Sequence, residues 1–163
     1  MRKAWVILLA ITLAAPVSAA APSPVDDFAG VYKTQFKNGL VSGEQYTSEN
    51  ILEIVKVSPS QAYIRVHLDF FNGHQCAISG VAKVERATLV YRPRETYGDK
   101  PCELRLSRQG EKLVFKDAYS CNGYCGARGT LEGASFPISA KRPIRYMDRL
   151  LKSPEYAAAL AER

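Results

Sequence analysis

A mainly β protein is what this chain predicts: an antiparallel meander closing as a small up-and-down β-barrel, or folding as a sandwich, with a C-terminal helical tail. Three observations carry that reading. Apolar and polar residues alternate with a period of two through roughly seven or eight short segments. Tight turn signals such as Asn38-Gly39, Asn72-Gly73 and Gln109-Gly110 separate them. After Pro143 the period changes, and Ile144, Met147, Leu150 and Leu151 fall at helical spacing. Meanders of this kind close into barrels or fold into sandwiches, and no internal repeat suggests a propeller or solenoid.

At 163 residues the chain suits a single domain. Residues 1–20 read as a signal peptide. Arg2 and Lys3 form a positive start, residues 4–15 an apolar stretch, and Pro16-Val17-Ser18-Ala19-Ala20 a small-residue cleavage zone. The apolar stretch is short for a membrane span of about 20 residues. The expected mature chain therefore begins near Ala20 or Ala21 and has no membrane span. Residues 21–141 are expected to form the barrel and 142–163 the tail. A periplasmic or secreted location follows.

The elements follow in order. Residues 31–37 alternate, with Tyr32, Thr34 and Phe36 on one face, and Asn38-Gly39 is expected to turn the strand. Residues 51–57 are apolar on both faces. A turn at Ser58-Pro59-Ser60-Gln61 would pair Val57 with Ala62 and Val55 with Ile64. The central hairpin, 62–84, aligns Ile64, Val66, Leu68 and Phe70 on one face and Cys76, Ile78, Gly80 and Ala82 on the facing strand. A two-residue loop at Asn72-Gly73 would oppose Asp69 to Cys76, so a bulged or three-residue loop pairing Phe70 with Cys76 and Leu68 with Ile78 is expected. Residues 89–91 form a further strand. A hairpin at Gln109-Gly110 would set Leu106 against Leu113 and Leu104 against Phe115. One more strand is expected at 131–138. In the tail, Ser153-Pro154 is a cap followed by a residue suited to the first helical position, opening a helix at 154–162.

Export gives the four cysteines their meaning, because an oxidising compartment favours two disulfides. Of three connectivities, Cys76–Cys102 with Cys121–Cys125 is favoured. The first two begin strands on the apolar face, and the second two lie four apart. Scattered cysteines and two histidines argue against zinc, and no cofactor or metal site is expected. The formal charge of +6 becomes +4 without Arg2 and Lys3. The basic residues are dispersed, without the dense aromatic-interleaved stripe of a nucleic-acid binder.

Catalytic signals are sparse. His67 lies on a polar strand face and His74 in a turn, and neither has the surroundings of a triad base. Glu44, Glu53, Asp69, Glu95 and Asp99 supply carboxylates without a spacing that pairs them. The most unusual stretch is 121–129, CNGYCGARG. Its glycines expose backbone N–H groups, and Arg128 supplies a guanidinium beside Tyr124 and Gly126, a combination suited to a carboxylate or other anion. Tyr46 and Tyr97 are candidates for the rim of such a site. A protein partner or an anionic envelope ligand is the expected class, and catalysis is not expected. The alternatives are an envelope glycan hydrolase with paired carboxylates and a small-ligand carrier barrel.

A signal peptide, a small all-β domain, two disulfides and the loop Ser42-Gly43-Glu44-Gln45-Tyr46 together resemble the bacterial periplasmic lysozyme inhibitors. The CGARG segment resembles a stretch of exported bacterial proteins, some grouped with those inhibitors. In the barrel-type inhibitors a loop serine and its neighbours enter the lysozyme cleft, which here nominates Ser42 and Tyr46. The family's motif lies late in the chain and this one early. The family's partner is strongly basic, and this chain is itself basic.

Overall fold

The computed structural model describes residues 23–95 and 97–163. The expected signal peptide and cleavage point lie outside the described residues. Nine antiparallel strands run in the order of a meander: β1 (Gly30–Gly39), β2 (Gln45–Ser58), β3 (Gln61–Asp69), β4 (Gln75–Glu85), β5 (Thr88–Tyr91), β6 (Leu104–Gln109), β7 (Lys112–Lys116), β8 (Ser135–Pro137) and β9 (Lys141–Arg142). Consecutive strands from β1 to β8 pair with one another. A 3₁₀ turn at Ile138–Ala140 lets β8 pair with β7 while β9 pairs with β1, so the sheet comes nearly full circle. The expected barrel is what forms, and its interior is filled by side chains such as Tyr32, Leu52, Ile64, Leu104, Phe115 and Phe136.

A short helix, α1 (Pro24–Phe28), precedes β1 and buries Val25 and Phe28 in the barrel interior. The Ser23 side chain accepts from the Val25 N–H and donates to the Pro59 carbonyl at 2.6 Å, tying the helix to the β2–β3 turn. The tail helices α2 (Met147–Leu151) and α3 (Pro154–Glu162) lie on the outer face of the β1–β4 sheet. There Ile144, Leu150 and Ala159 cover Val31, Val55, Tyr63 and Val81 in a second apolar layer. This layer explains why residues 51–57 are apolar on both faces. The Ser153 cap forms as expected, its Oγ accepting from Tyr156 N at 3.2 Å.

Register departs from expectation in instructive ways. The β1–β2 strands continue through Asn38 and Gly39, and the turn is residues 40–44; Asn38 is buried and donates to Ser48 Oγ and the Phe70 carbonyl. At β2–β3 a bulge between Lys56 and Ser58 absorbs Val57, so Ile54 opposes Ile64 and Val55 opposes Tyr63. That slip sets Glu53 against Arg65 and matches both apolar rows, where the expected pairing would have crossed them. The central hairpin has a five-residue loop, pairing Leu68 with Cys76 and Val66 with Ile78. The shift from expectation is two residues, so Phe70, Cys76, Leu68 and Ile78 still share the inner face. The β6–β7 loop is Gly110-Glu111, pairing Leu106 with Phe115 and Arg108 with Leu113. Gly110, at φ +58°, fills the first position of a mirror-image turn that L-residues resist. Only Ser135–Pro137 of the expected 131–138 strand pairs, and residues 141–142 belong to the sheet rather than the tail. The helix expected from Pro143 starts at Met147 and leaves Leu151 exposed.

The disulfides are Cys76–Cys125 and Cys102–Cys121. This overturns the favoured pairing. A 3₁₀ turn at Asn122–Tyr124 separates Cys121 from Cys125, and Cys125 leaves it extended, at φ −123° and ψ 148°. Its backbone then bridges to Cys76 at the start of β4, while Cys121 turns inward to Cys102.

Candidate functional site

The meander puts alternate connections at opposite ends of the barrel. Residues 59–60, 86–87 and 110–111 make two-residue turns at one end, which α1 plugs. Residues 40–44, 70–74, 92–103 and 117–134 make the longer loops at the other. Every sequence-nominated site residue, Ser42, Tyr46, Tyr97, Tyr124, Gly126 and Arg128, lies at that second end.

The four loops are laced together. Val41 N–H donates to Asn72 Oδ1 at 3.3 Å and Gly73 N–H to the Tyr46 hydroxyl at 3.3 Å, joining the first two loops. Gly126 N–H donates to the Gln75 carbonyl at 2.7 Å beside the Cys76–Cys125 disulfide. Cys102–Cys121 and the Tyr124 hydroxyl, which donates to the Glu95 carbonyl at 3.0 Å, join the last two. Tyr97 and Tyr124 meet edge to face, 5.2 Å between ring centres. A side chain at Gly123 would place its Cβ 1.9 Å from the Tyr97 carbonyl oxygen, so glycine is what lets these loops close on each other. Burial raises the Tyr124 hydroxyl above its ordinary pKa, with Tyr97 and Glu95 adding to it. The bond to Glu95 raises that of Tyr97.

At the root of the last loop, Ala118 and Tyr119 both adopt left-handed backbone, at φ +47° and +58°. Two carboxyls hold them there. Glu132 Oε2 accepts from Asp117 N–H at 2.6 Å and Ala118 N–H at 2.7 Å, and Asp117 Oδ2 accepts from Cys121 N–H at 2.9 Å. Burial pushes the Asp117 carboxyl above its ordinary pKa, while the N–H donors hold Glu132 below its own. The result is a rigid base that presents Tyr119 to solvent, 64% exposed.

Arg128 is exposed and forms no ion pair among the described residues. Ser42 is exposed on the 40–44 loop, and Tyr46 is half-buried beneath it. Of the five large apolar or aromatic side chains exposed among the described residues, Val41, Phe71, Tyr97 and Tyr119 stand on these four loops; Leu151 is elsewhere.

No family model, curated protein or solved structure matches the chain. Neither histidine is built into a triad. His67 contacts Asp69 at 3.2 Å on the outer sheet face, and the His74 ring lies beside Gly126. Among the described residues no cluster of three or more His, Cys, Asp or Glu is arranged for a metal, and no helix is long and apolar enough to cross a membrane. What the end offers is a pre-ordered rim of aromatic and apolar side chains with an arginine.

Sequence reasoning missed Phe71, Val41 and Tyr119. Phe71 follows directly on the alternating run that ends at Phe70, but it belongs to a five-residue loop and is 46% exposed. It also missed a concavity of about 540 Å³ on the outer face of β1–β4, bordered by the tail. One available signal was Glu53, the one acid of the apolar run 51–57, which β3 sets opposite Arg65.

Proposed function

We propose that this chain is an exported, non-catalytic binding protein of the bacterial cell envelope that grips a protein partner through its loop end. Inhibition of a cell-wall hydrolase such as lysozyme is the most concrete form. One observation carries the reading: the exposed Val41, Phe71, Tyr97 and Tyr119 gather on the loops at one end, with Arg128 beside them. Aromatic residues and arginine are the side chains that dominate protein interfaces. Disulfides and interlocking glycines keep those loops ordered before binding, which limits the entropy lost on association. The filled interior favours this over a carrier with its ligand inside the barrel. Two disulfides fit an oxidising compartment. The resemblance to periplasmic lysozyme inhibitors points to the same class.

The test is to mix the secreted protein with lysozyme and follow both complex formation and lysis of cell-wall suspensions. The reading expects a stoichiometric complex and suppressed lysis. Release of soluble glycan fragments by the protein alone would replace it with the hydrolase reading.

A further inference from the structure

Apart from the loop end, the outer face of the β1–β4 sheet holds an open groove of about 540 Å³, walled on one side by the tail. Its floor contains an expensive feature. Glu53 is 2% exposed at the middle of β2, and both of its oxygens are engaged. The Arg65 guanidinium grips it in a fork through Nε and Nη2, the latter at 3.0 Å from Oε1, and the Tyr146 hydroxyl donates to Oε1. Burying an ion pair adds little net stability compared with apolar packing. What it supplies here is orientation: a guanidinium and a phenol from different parts of the chain are fixed at a groove wall.

Donors outnumber acceptors around them. Arg65 uses Nε and Nη2 on Glu53, which leaves Nη1 and a side chain that is 36% exposed. Arg149 stacks over the Tyr146 ring, its guanidinium carbon 5.3 Å from the ring centre. It forms no ion pair among the described residues. Lys33 lines the same groove; its ammonium meets Glu49 at 2.6 Å and has further protons to give. His67 and Ser79 complete the polar lining, and Glu155 is the one carboxylate in the lining besides the buried Glu53. Burial, with the bond to Glu53 adding to it, pushes the Tyr146 hydroxyl up to about 12, so it stays neutral.

We infer that this groove is a second site, binding a small organic oxyanion on Arg149, Arg65 and Lys33. The volume suits a molecule of sugar size, and forked guanidinium groups suit carboxylate and phosphate alike. The inference is independent of the loop-end reading.

The experiment is an NMR titration of the isotopically labelled mature protein at low salt, with glucuronate, glucose 6-phosphate and glucose as probes. The three share a ring and differ in the oxyanion, so the two charged arms distinguish carboxylate from phosphate. Saturable shifts centred on Lys33, Arg65, Ser79, Tyr146 and Arg149, with one or both charged probes and not with glucose, are expected. Arg149→Gln removes an exposed cation and should weaken that binding about tenfold. Arg108→Gln, at the tight-turn end, should leave it unchanged. Three results would each overturn the site: no saturable shift with either anion, equal shifts with glucose, or equal weakening by both substitutions.

Discussion

The two ends of this barrel are held by different physics. At the tight-turn end, α1 inserts Val25 and Phe28 into the apolar interior, and the connections are two residues long. None of the large apolar side chains exposed among the described residues lies in those turns. At the loop end the polar side chains of Asn38, Ser48 and Asn50 make hydrogen bonds near the rim, and two disulfides tie the long loops to one another and to β4. Apolar burial closes one end; covalent and polar ties order the other while leaving its aromatic groups outside. Ties of this kind order an end without hiding its side chains.

That contrast can be broken from either side. Phe28→Ala should be the most damaging single change, at about 3–5 kcal/mol by chemical denaturation, because it empties the plug. Amide exchange should then quicken most near α1 and the 59–60 turn, and equal quickening at both ends would erase the contrast. Replacing Cys76 and Cys125 together by serine opens a separation of 49 residues, for a loss of about 4 kcal/mol on the chain-entropy scale. The Cys102–Cys121 pair, at a separation of 19, should cost about 3 kcal/mol. Here the exchange should quicken first in 117–134, and a reversed order of the two losses would show that strain or residual structure outweighs loop closure. Ser23→Ala removes the α1 cap and its bond to Pro59, and should lower stability by about 1 kcal/mol with loop-end exchange unaltered.

The smallest effect concerns pH. Asp117 titrates above its unfolded value, so its contribution is present below that value and is lost as pH rises through the folded one. Glu132 is depressed, and its contribution is lost as pH falls. Asp117→Asn removes the first group and keeps a side-chain oxygen for Cys121 N–H. The melting temperature of the variant relative to the parent should therefore rise from about pH 3 to about pH 7. A difference that is flat or falls with pH would contradict the raised Asp117.

Much of the fold was legible because alternation is a local signal. The inner row of Ile64, Val66, Leu68 and Phe70 is written in alternate residues of one short stretch, and the Ser153-Pro154 helix start in two adjacent ones. Register was less legible. Whether Val55 faces Ile64 or Tyr63 depends on a bulge at Val57, which is chosen by the match of two apolar layers and of Glu53 with Arg65. One layer is supplied by helices nearly a hundred residues away, as the Tyr146–Glu53 bond illustrates. The disulfides failed for a similar reason. Cys121 and Cys125 are close in sequence, but the 3₁₀ turn between them aims each at a different distant partner. The nominated residues did gather at one end, because an up-and-down meander sends alternate loops the same way. Phe71 and Tyr119 escaped notice since their exposure is set by loop backbone, including the left-handed Asn72, Ala118 and Tyr119.

Whether the loop end is a binding surface is decided by one paired measurement. Tyr119→Ala and Arg128→Ala are compared with the parent for suppression of lysozyme activity and for melting temperature. Both side chains are exposed, and Arg128 forms no ion pair among the described residues. For a binding surface, inhibition should weaken about tenfold or more in each variant, with melting nearly unchanged. Lowered melting with inhibition intact would mean that these residues serve the fold and that the loop end is not the binding surface.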